Sequence, residues 1–327
     1  MATARRRPLA RAGWATLVLA IPLVLVSCGW FPERREPPYA MVDSWGGQGA
    51  EPGRFSDPNG IVVAAGRVYV ADSRNHRIQV FTRDGGFVAQ WPVPGEGRPM
   101  NIDAARGRLY VADYWNDVIR VYGLDTGELL RSVGGPGDGP GRFSNPGGVA
   151  VGPDGHIFVA DFFNQRIQGL TAAGEFVRQW GTTGEKGYVF PGGFNYPIDV
   201  AVAADGMLFV ADGYNDRIQV FGPDGAFLRK WGGPFAANIK GGFFGWFSVP
   251  TSITLGPGNT VFVADQENDR IQKFTRAGVF LTAFGTPHAG PGYTESAVAV
   301  APDGTVYTVN LIENRVEVWR AANRSGR

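Results

Sequence analysis

The chain has one cysteine, Cys28, among 327 residues. A single thiol closes no internal disulfide and supplies no cysteine-based zinc site. Histidine is nearly as scarce: His76, His156 and His288 are the three, which leaves little for an imidazole-built centre. Only 19% of the residues are charged, and the formal net charge of +1 owes its sign to Arg5, Arg6, Arg7 and Arg11, which have no acid beside them in the first 27 residues. Beyond those, 27 basic residues face 30 acidic ones, a net near −3. A nucleic-acid partner needs a basic surface, so none is expected. Nucleophile motifs of the G-x-S-x-G type and phosphate-cradling loops are absent from the sequence as well.

What is abundant belongs to turns and sheets: 48 glycines, 23 prolines and 13% aromatics. Their order is periodic. Leu208–Gly232 reads LFVADGYNDRIQVFGPDGAFLRKWG, and the same sentence starts at Val68, Leu109, Ile157 and Val261, with a degraded copy at Val306. The equivalent acids are Asp72, Asp113, Asp161, Asp212 and Asp265, with Asn310 in the sixth copy, spaced by 41, 48, 51, 53 and 45 residues. A constant unit with variable linkers is the signature of a repeat architecture. Each unit holds three short runs rich in Val, Ile, Phe and Tyr between Gly, Pro and Asp turns, and another apolar run precedes it, at Gly60–Val63, Ile102–Ala104, Val149–Val151, Val200–Val202, Ile253–Leu255 and Ala297–Val300. Four strands per unit make the blade of a propeller. Little chain remains after Trp319, so the last unit lacks its outer strand, and Tyr39–Trp45 has the pattern to supply it. Joining the two ends in this way removes the free sheet edges.

These units resemble the NHL repeat, through VAD-x-x-N-x-RIQVF followed by a glycine-containing turn. The resemblance covers residues 39–320 and implies an all-β, six-bladed propeller of four-stranded blades. It implies little about activity, because such folds serve as scaffolds, receptors and enzymes. The recurring Asp and Asn, with Arg77, Arg166, Arg217, Arg270 and Arg315, read as structural, since a catalytic residue normally occurs once.

The N-terminus has a basic start, an apolar run Trp14–Val26 and then Ser27-Cys28. That run is short of the about 20 residues a membrane span needs, and it reads as an export signal. Leu25-Val26-Ser27-Cys28 resembles the lipobox of bacterial lipoproteins, which implies a lipidated Cys28 as mature N-terminus, a membrane anchored through it and a periplasm-facing envelope location. Gly29 after the cysteine points by the same resemblance to the outer membrane; an ordinary secretory signal is the alternative. Residues 1–27 are then the signal peptide, 28–38 a proline-rich tether, 39–320 the propeller and 321–327 a tail.

Function is expected where the units diverge. The turns between second and third strands share a rim with the connections between blades, and there the chain places Tyr114, Trp115, Phe162, Phe163 and Tyr214. The long connection Gly232–Val249 adds Phe244 and Trp246. Rings at turn tips suggest an apolar patch or groove for a protein, peptide or glycan partner. The bland alternative is that the long loops fold over and bury the rings against one another. The inner strands bring Asn101, Asp103, Asp199 and Ser252 toward the axis, as oxygen ligands for a divalent cation or as hosts for water. No resident cofactor is expected otherwise. Among six-bladed relatives, the peptidyl-hydroxyglycine amidating lyases hold zinc with histidines, and the lactonase-like propellers hold an axial metal. His76 and His156 are expected on opposite rims here, a poor basis for one shared metal.

Overall fold

A computed structural model describes residues 31–181, 190–286 and 294–322. Its strands form six four-stranded antiparallel sheets, each ordered from an inner strand outward. Blade one runs from the inner strand Pro58–Ala64 through Arg67–Asp72 and Arg77–Thr82 to the outer strand Phe87–Pro92. Five blades are continuous in sequence. The sixth takes Glu295–Val300, Val306–Asn310 and Arg315–Ala321 from the C-terminus, and its outer strand Tyr39–Gly46 from the other end of the chain. The expected closure is therefore present, with Tyr39 opposite Ala321 and Gly46 opposite Arg315. Among the described residues no helix is long and apolar enough to cross a membrane.

Both faces of a blade meet a neighbour, so the middle strands are buried end to end: Leu208–Asp212 and Arg217–Phe221 have no exposed position. Six apolar clusters result, each packed between adjacent blades, such as Phe209, Val220, Val261, Val263 and Phe274 between blades four and five. Alternation survives only at the outer edge, where Phe87–Pro92 has one face open.

The repeated polar residues form two sets of clasps. In blade one the Asp72 carboxylate accepts from the Ser56 backbone, Asn75, Arg77 and Gln79 at 2.7–3.1 Å. Arg77 then donates to the carbonyls of Ala50, Glu51 and Arg54, pinning the connection that arrives from blade six. Asp161, Asp212 and Asp265 repeat the arrangement with Arg166, Arg217 and Arg270. Blade two has Val118 where the arginine stands elsewhere, and Arg120 reaches Asp113 instead. In blade six the charge has changed strands: Asn310 replaces the aspartate, and both Asn310 and Arg315 donate to buried Glu317. The second clasp comes from the residue just before the third strand. Asp117, Gln165, Asp216, Asp269 and Asn314 each accept from the backbone N–H that precedes the next inner strand, at Asn145, Tyr196, Val249, Thr294 and Asp57. Buried backbone donors and acceptors require such partners, which explains the recurrence of the motif without reference to activity.

The segment expected as a tether is ordered against the ring from Phe31 onward. Arg35 and Glu36 donate their backbone N–H groups to the Leu281 carbonyl, Glu36 pairs with Lys273 at 2.6 Å, and Arg34 lies over Phe244. Apolar side chains at Phe31 and Pro32 and two charges that find partners, Arg34 and Glu36, outweigh the freedom expected of a proline-rich stretch.

Candidate functional site

The inner strands start two or three residues earlier than the apolar runs suggest, at Pro58, Pro99, Pro146, Pro197, Pro250 and Glu295. Immediately after that first residue the pairing with the second strand slips in every blade, a bulge between Pro58 and Gly60 in the first and its equivalents in the others. A bulge leaves one residue unpaired and re-aims its side chain. The residues so released are Asn59, Met100, Gly147, Ile198, Thr251 and Ser296, and all six line a cavity of about 200 Å³ at one mouth of the axis. Arg98, Asn101, Tyr114, Phe162, Tyr214 and Gln266 complete its wall.

Five of the seven expected contact rings are gathered here. Tyr114 lies 6.1 Å from Phe162 and 6.4 Å from Phe163 between ring centroids. Phe162 and Phe163 meet Tyr196 at 4.8 and 5.7 Å, and Tyr196 meets Tyr214 at 5.2 Å. The lane thus runs unbroken from blade two to blade four. Phe163 is 44% exposed, Tyr214 50%, and Trp115, beside the lane, 53%, so the rings are only partly buried against one another. Tyr196 went unrecognised in the sequence, although its place before Pro197 marks it. Its φ of 51° is left-handed, an uncommon backbone for a bulky residue, where blades one and three have Asp57 and Asn145.

Arg98 is the other residue that pattern reading missed. Its guanidinium pairs with Asp57 at 2.6 Å and lies 5.7 Å from the Trp115 ring centroid. Its Nε is buried and without a hydrogen-bond acceptor. Burial raises the Tyr114 hydroxyl above its ordinary pKa, against a smaller opposing effect of Arg98, so Tyr114 stays a neutral donor and acceptor at the wall. The partly exposed Arg98 cation beside neutral rings suits a carbonyl or carboxylate attached to an apolar chain.

Below the mouth the axial channel has a volume of about 270 Å³ and is lined by Asn101, Asp103, Asp199 and Ser252 among inner-strand residues. The expected axial set is therefore together, yet its oxygens face sideways. Asp103 accepts from the Ala104 and Val151 backbones, and Asp199 from Ile253. Ser252 accepts from Val298, and Asn101 donates across the axis to the Thr251 carbonyl. Burial pushes the Asp199 carboxyl up to about 7, opposed by hydrogen bonds from Ile253, Val200 and Ser252 and assisted slightly by Asp103. Burial likewise raises Asp103.

Phe244 and Trp246, the other two expected contacts, are elsewhere. Phe244 stacks on Phe280 at 4.9 Å, while Trp246 stacks on Phe31 and meets Phe243. Their connection folds outward over blade five rather than inward over the mouth, because Phe280, Phe31 and Arg34 offer partners there. His76 bonds the Gly97 carbonyl on the mouth rim, and His156 bonds Asp154 at a turn on the far rim. Cys28 and His288 lie outside the described residues. No imidazole, thiolate or carboxylate stands at the six bulge positions, and among the described residues no three His, Cys, Asp or Glu cluster as for a metal. The donors at the mouth do not fit a histidine-held zinc.

A family model described as NHL repeat matches residues 55–81, 143–170 and 194–221, one stretch in each of blades one, three and four. Three blades of this six-bladed propeller thus match the NHL repeat. The propeller is 34% identical over 181 residues to peptidyl-glycine alpha-amidating monooxygenase A of Xenopus laevis, across 53% of this chain and 18% of that protein. It is 33% identical over 148 residues to NHL repeat-containing protein 3 of Homo sapiens, across 44% of this chain and 40% of that one. It thus spans under half the length of either relative. A streptogramin B lyase structure superposes with a TM-score of 0.61 at 16% identity, covering 87% of this chain and 98% of that chain; at that identity the likeness concerns the fold.

Proposed function

We propose that this NHL propeller is a binding module of the bacterial cell envelope, lipid-anchored through Cys28 and facing the periplasm, which holds a peptide segment of a partner at the axial mouth. The observation that carries this reading is the aromatic lane Tyr114–Phe162–Phe163–Tyr196–Tyr214 beside the partly exposed guanidinium of Arg98. Flat rings with few rotatable bonds bury much area at low entropic cost, and rings with arginine dominate binding hot spots. The donor edge of Arg98 gives such a surface polarity for a peptide carbonyl or terminal carboxylate. A peptide is preferred over a folded protein face or a glycan because the mouth is a narrow cavity rather than a plain, and because the Xenopus relative is named for a peptidyl substrate.

The test compares the protein with its Phe163→Ala/Tyr214→Ala variant in capturing ligands from an arrayed peptide library. Both rings are half exposed, so the melting temperature stays within about 2 °C while capture falls at least about tenfold, the effect of two hot-spot rings. Undiminished capture by the variant would sink the reading.

A second reading is favoured by one observation, the pair of buried carboxylates Asp103 and Asp199 in the channel. In it a divalent cation sits on the axis of a lyase- or lactonase-like enzyme. Elemental analysis of the purified protein, with melting before and after chelator, decides it. A stoichiometric metal whose removal lowers the melting point, together with an activity abolished by Asp199→Ala, would replace the binding reading.

A further inference from the structure

The mouth leaves one large apolar surface unexplained. The connection from blade four to blade five, residues 232–249, exposes Phe235 at 72%, Phe243 at 56% and Ile239 at 43%. The backbone carbonyls of Phe190, in the preceding connection, and of Ala236 both accept from Arg217, which ties the two connections together. Beneath these side chains a groove of about 820 Å³ runs along Trp231, Trp246, Phe274 and Phe280, with Phe31 and Pro32 on its wall. Contiguous exposed apolar surface of this kind marks a contact with another phase or molecule.

What covers it follows from where the chain enters. Phe31 meets Phe243 at 4.9 Å and Trp246 at 5.6 Å. It stands three residues after Cys28, and three residues span at most about 11 Å even when fully extended. A lipid on Cys28 is thereby held at the patch. Lys240, 70% exposed beside Ile239 and 3.7 Å from Glu267, puts a cation at the same edge, and Arg35 and Glu33 line the groove. Phe and Ile on the apolar side, Trp at the boundary and Lys in reach of headgroups is the composition of a membrane-interface contact.

We propose that the Phe235–Ile239–Phe243 patch rests in the interface of a phospholipid bilayer, tilting the propeller so that blades four and five face the membrane. The proposal rests on the anchorage through Cys28 stated above. Blade two is then turned outward, because the inner strands touch in blade order around the ring and so set blade two opposite blade five, and the mouth stays open beside the bilayer.

The test uses the full lipidated chain in vesicles of phosphatidylethanolamine and phosphatidylglycerol. With Cys28 acylated, an introduced cysteine is the single free thiol, so Ile239→Cys, Phe243→Cys and, as control, Leu130→Cys on the exposed outer strand of blade two each take one environment-sensitive nitrobenzoxadiazole label. Ile239 and Leu130 are both exposed, so neither substitution empties a core. The expected result is blue-shifted emission at 239 and 243 that brominated lipid chains quench, with water-like, unquenched emission at 130. Vesicle-bound protein giving the same water-like emission at all three positions overturns the patch while leaving the anchor intact. A chain that does not float with the vesicles overturns the anchorage, and the proposal with it.

Discussion

Arg217 offers the sharpest test of how the ring is held. It is fully buried, pairs with Asp212 at 2.7 Å, and donates to the carbonyls of Phe190, Gly193 and Ala236 at 2.8–3.3 Å. Replacing it with alanine strands a buried carboxylate and releases the two connections that flank blade four. Breaking a buried pair by deleting one partner costs about 3–5 kcal/mol. The lower end applies here, because Asp212 keeps the Asn195 backbone, Asn215 and Gln219 as donors. At a little under about 2 °C per kcal/mol for a domain this long, Arg217→Ala lowers the melting temperature by about 5 °C. Adding Asp212→Asn removes the stranded charge, and the double variant recovers about 1–2 kcal/mol as a double-mutant cycle reads it.

The pH dependence is a second readout of the same argument. Burial already raises Asp212 above its ordinary pKa, and Arg217 opposes that rise. Without the arginine the folded-state pKa climbs further above the unfolded value. A group of that kind contributes stability below the unfolded pKa and loses it as pH rises through the folded pKa. The deficit of Arg217→Ala against wild type is therefore larger at pH 8 than at pH 5.5, measured by thermal melting followed by circular dichroism. A deficit under 1 kcal/mol, or a double variant no better than the single one, would refute the reasoning.

The channel gives a related prediction: Asp199, raised by burial to about 7 against an unfolded value near 3.8, costs up to about 4 kcal/mol at pH 8. Asp199→Asn is therefore stabilising at pH 8 and nearly neutral at pH 4.5, as denaturant titration at the two values will show. Glu295, where the other blades have proline, is fully buried, raised well above its ordinary pKa by burial and by Glu317, and has an unpaired Oε2; Glu295→Gln raises the melting temperature at pH 8 more than at pH 5. Deleting residues 31–46 strips blade six of its outer strand, and light scattering should then report association through the exposed Arg315–Ala321 edge. Tyr196→Gly relieves the left-handed backbone by about 1 kcal/mol while cutting the lane, so peptide capture falls although the melting temperature does not.

The architecture was legible because each blade repeats its own polar grammar. Asp, Asn, Arg and Gln at fixed offsets announced a turn, and the same atoms proved to be the clasps between neighbours. Closure was legible for the opposite reason, a strand missing at one end and spare at the other. The site was harder, because its geometry arises from bulges, and a slip in pairing after Pro58 or Pro197 leaves no mark in hydrophobic periodicity. Arg98 and Tyr196 were overlooked on that account, while Tyr114, Phe162 and Tyr214 were found because turn tips are visible in sequence. Phe244 and Trp246 went astray since nothing in a glycine-rich loop says which way it folds. Their direction was decided by Phe31, Arg34 and Phe280, residues distant in sequence.

The location of the clasps also says where chemistry has room. Asp72, Asp161, Asp212 and Asp265 have their oxygens satisfied by four kinds of donor, and their arginines hold carbonyls, so none is available to a substrate without loosening a blade. Asp103 and Asp199 are engaged in the same way with neighbouring backbones. That leaves the six bulge residues, which differ from blade to blade and include no acid, base or nucleophile stronger than Ser296 and Thr251. On the binding reading proposed above, a mouth so furnished would hold its ligand by shape, ring contact and the Arg98 guanidinium. Orientation then matters more than reactivity. Asn238, with its amide turned to donate to the Tyr214 carbonyl and to Asp216 at 3.1 Å each, joins the end of the lane to the loop that carries Ile239 and Phe243. A propeller resting on that loop presents Tyr214 nearest the bilayer and Trp115 farthest from it. A segment lying along the lane would thus run outward from the membrane surface, which favours partners that are themselves attached to it.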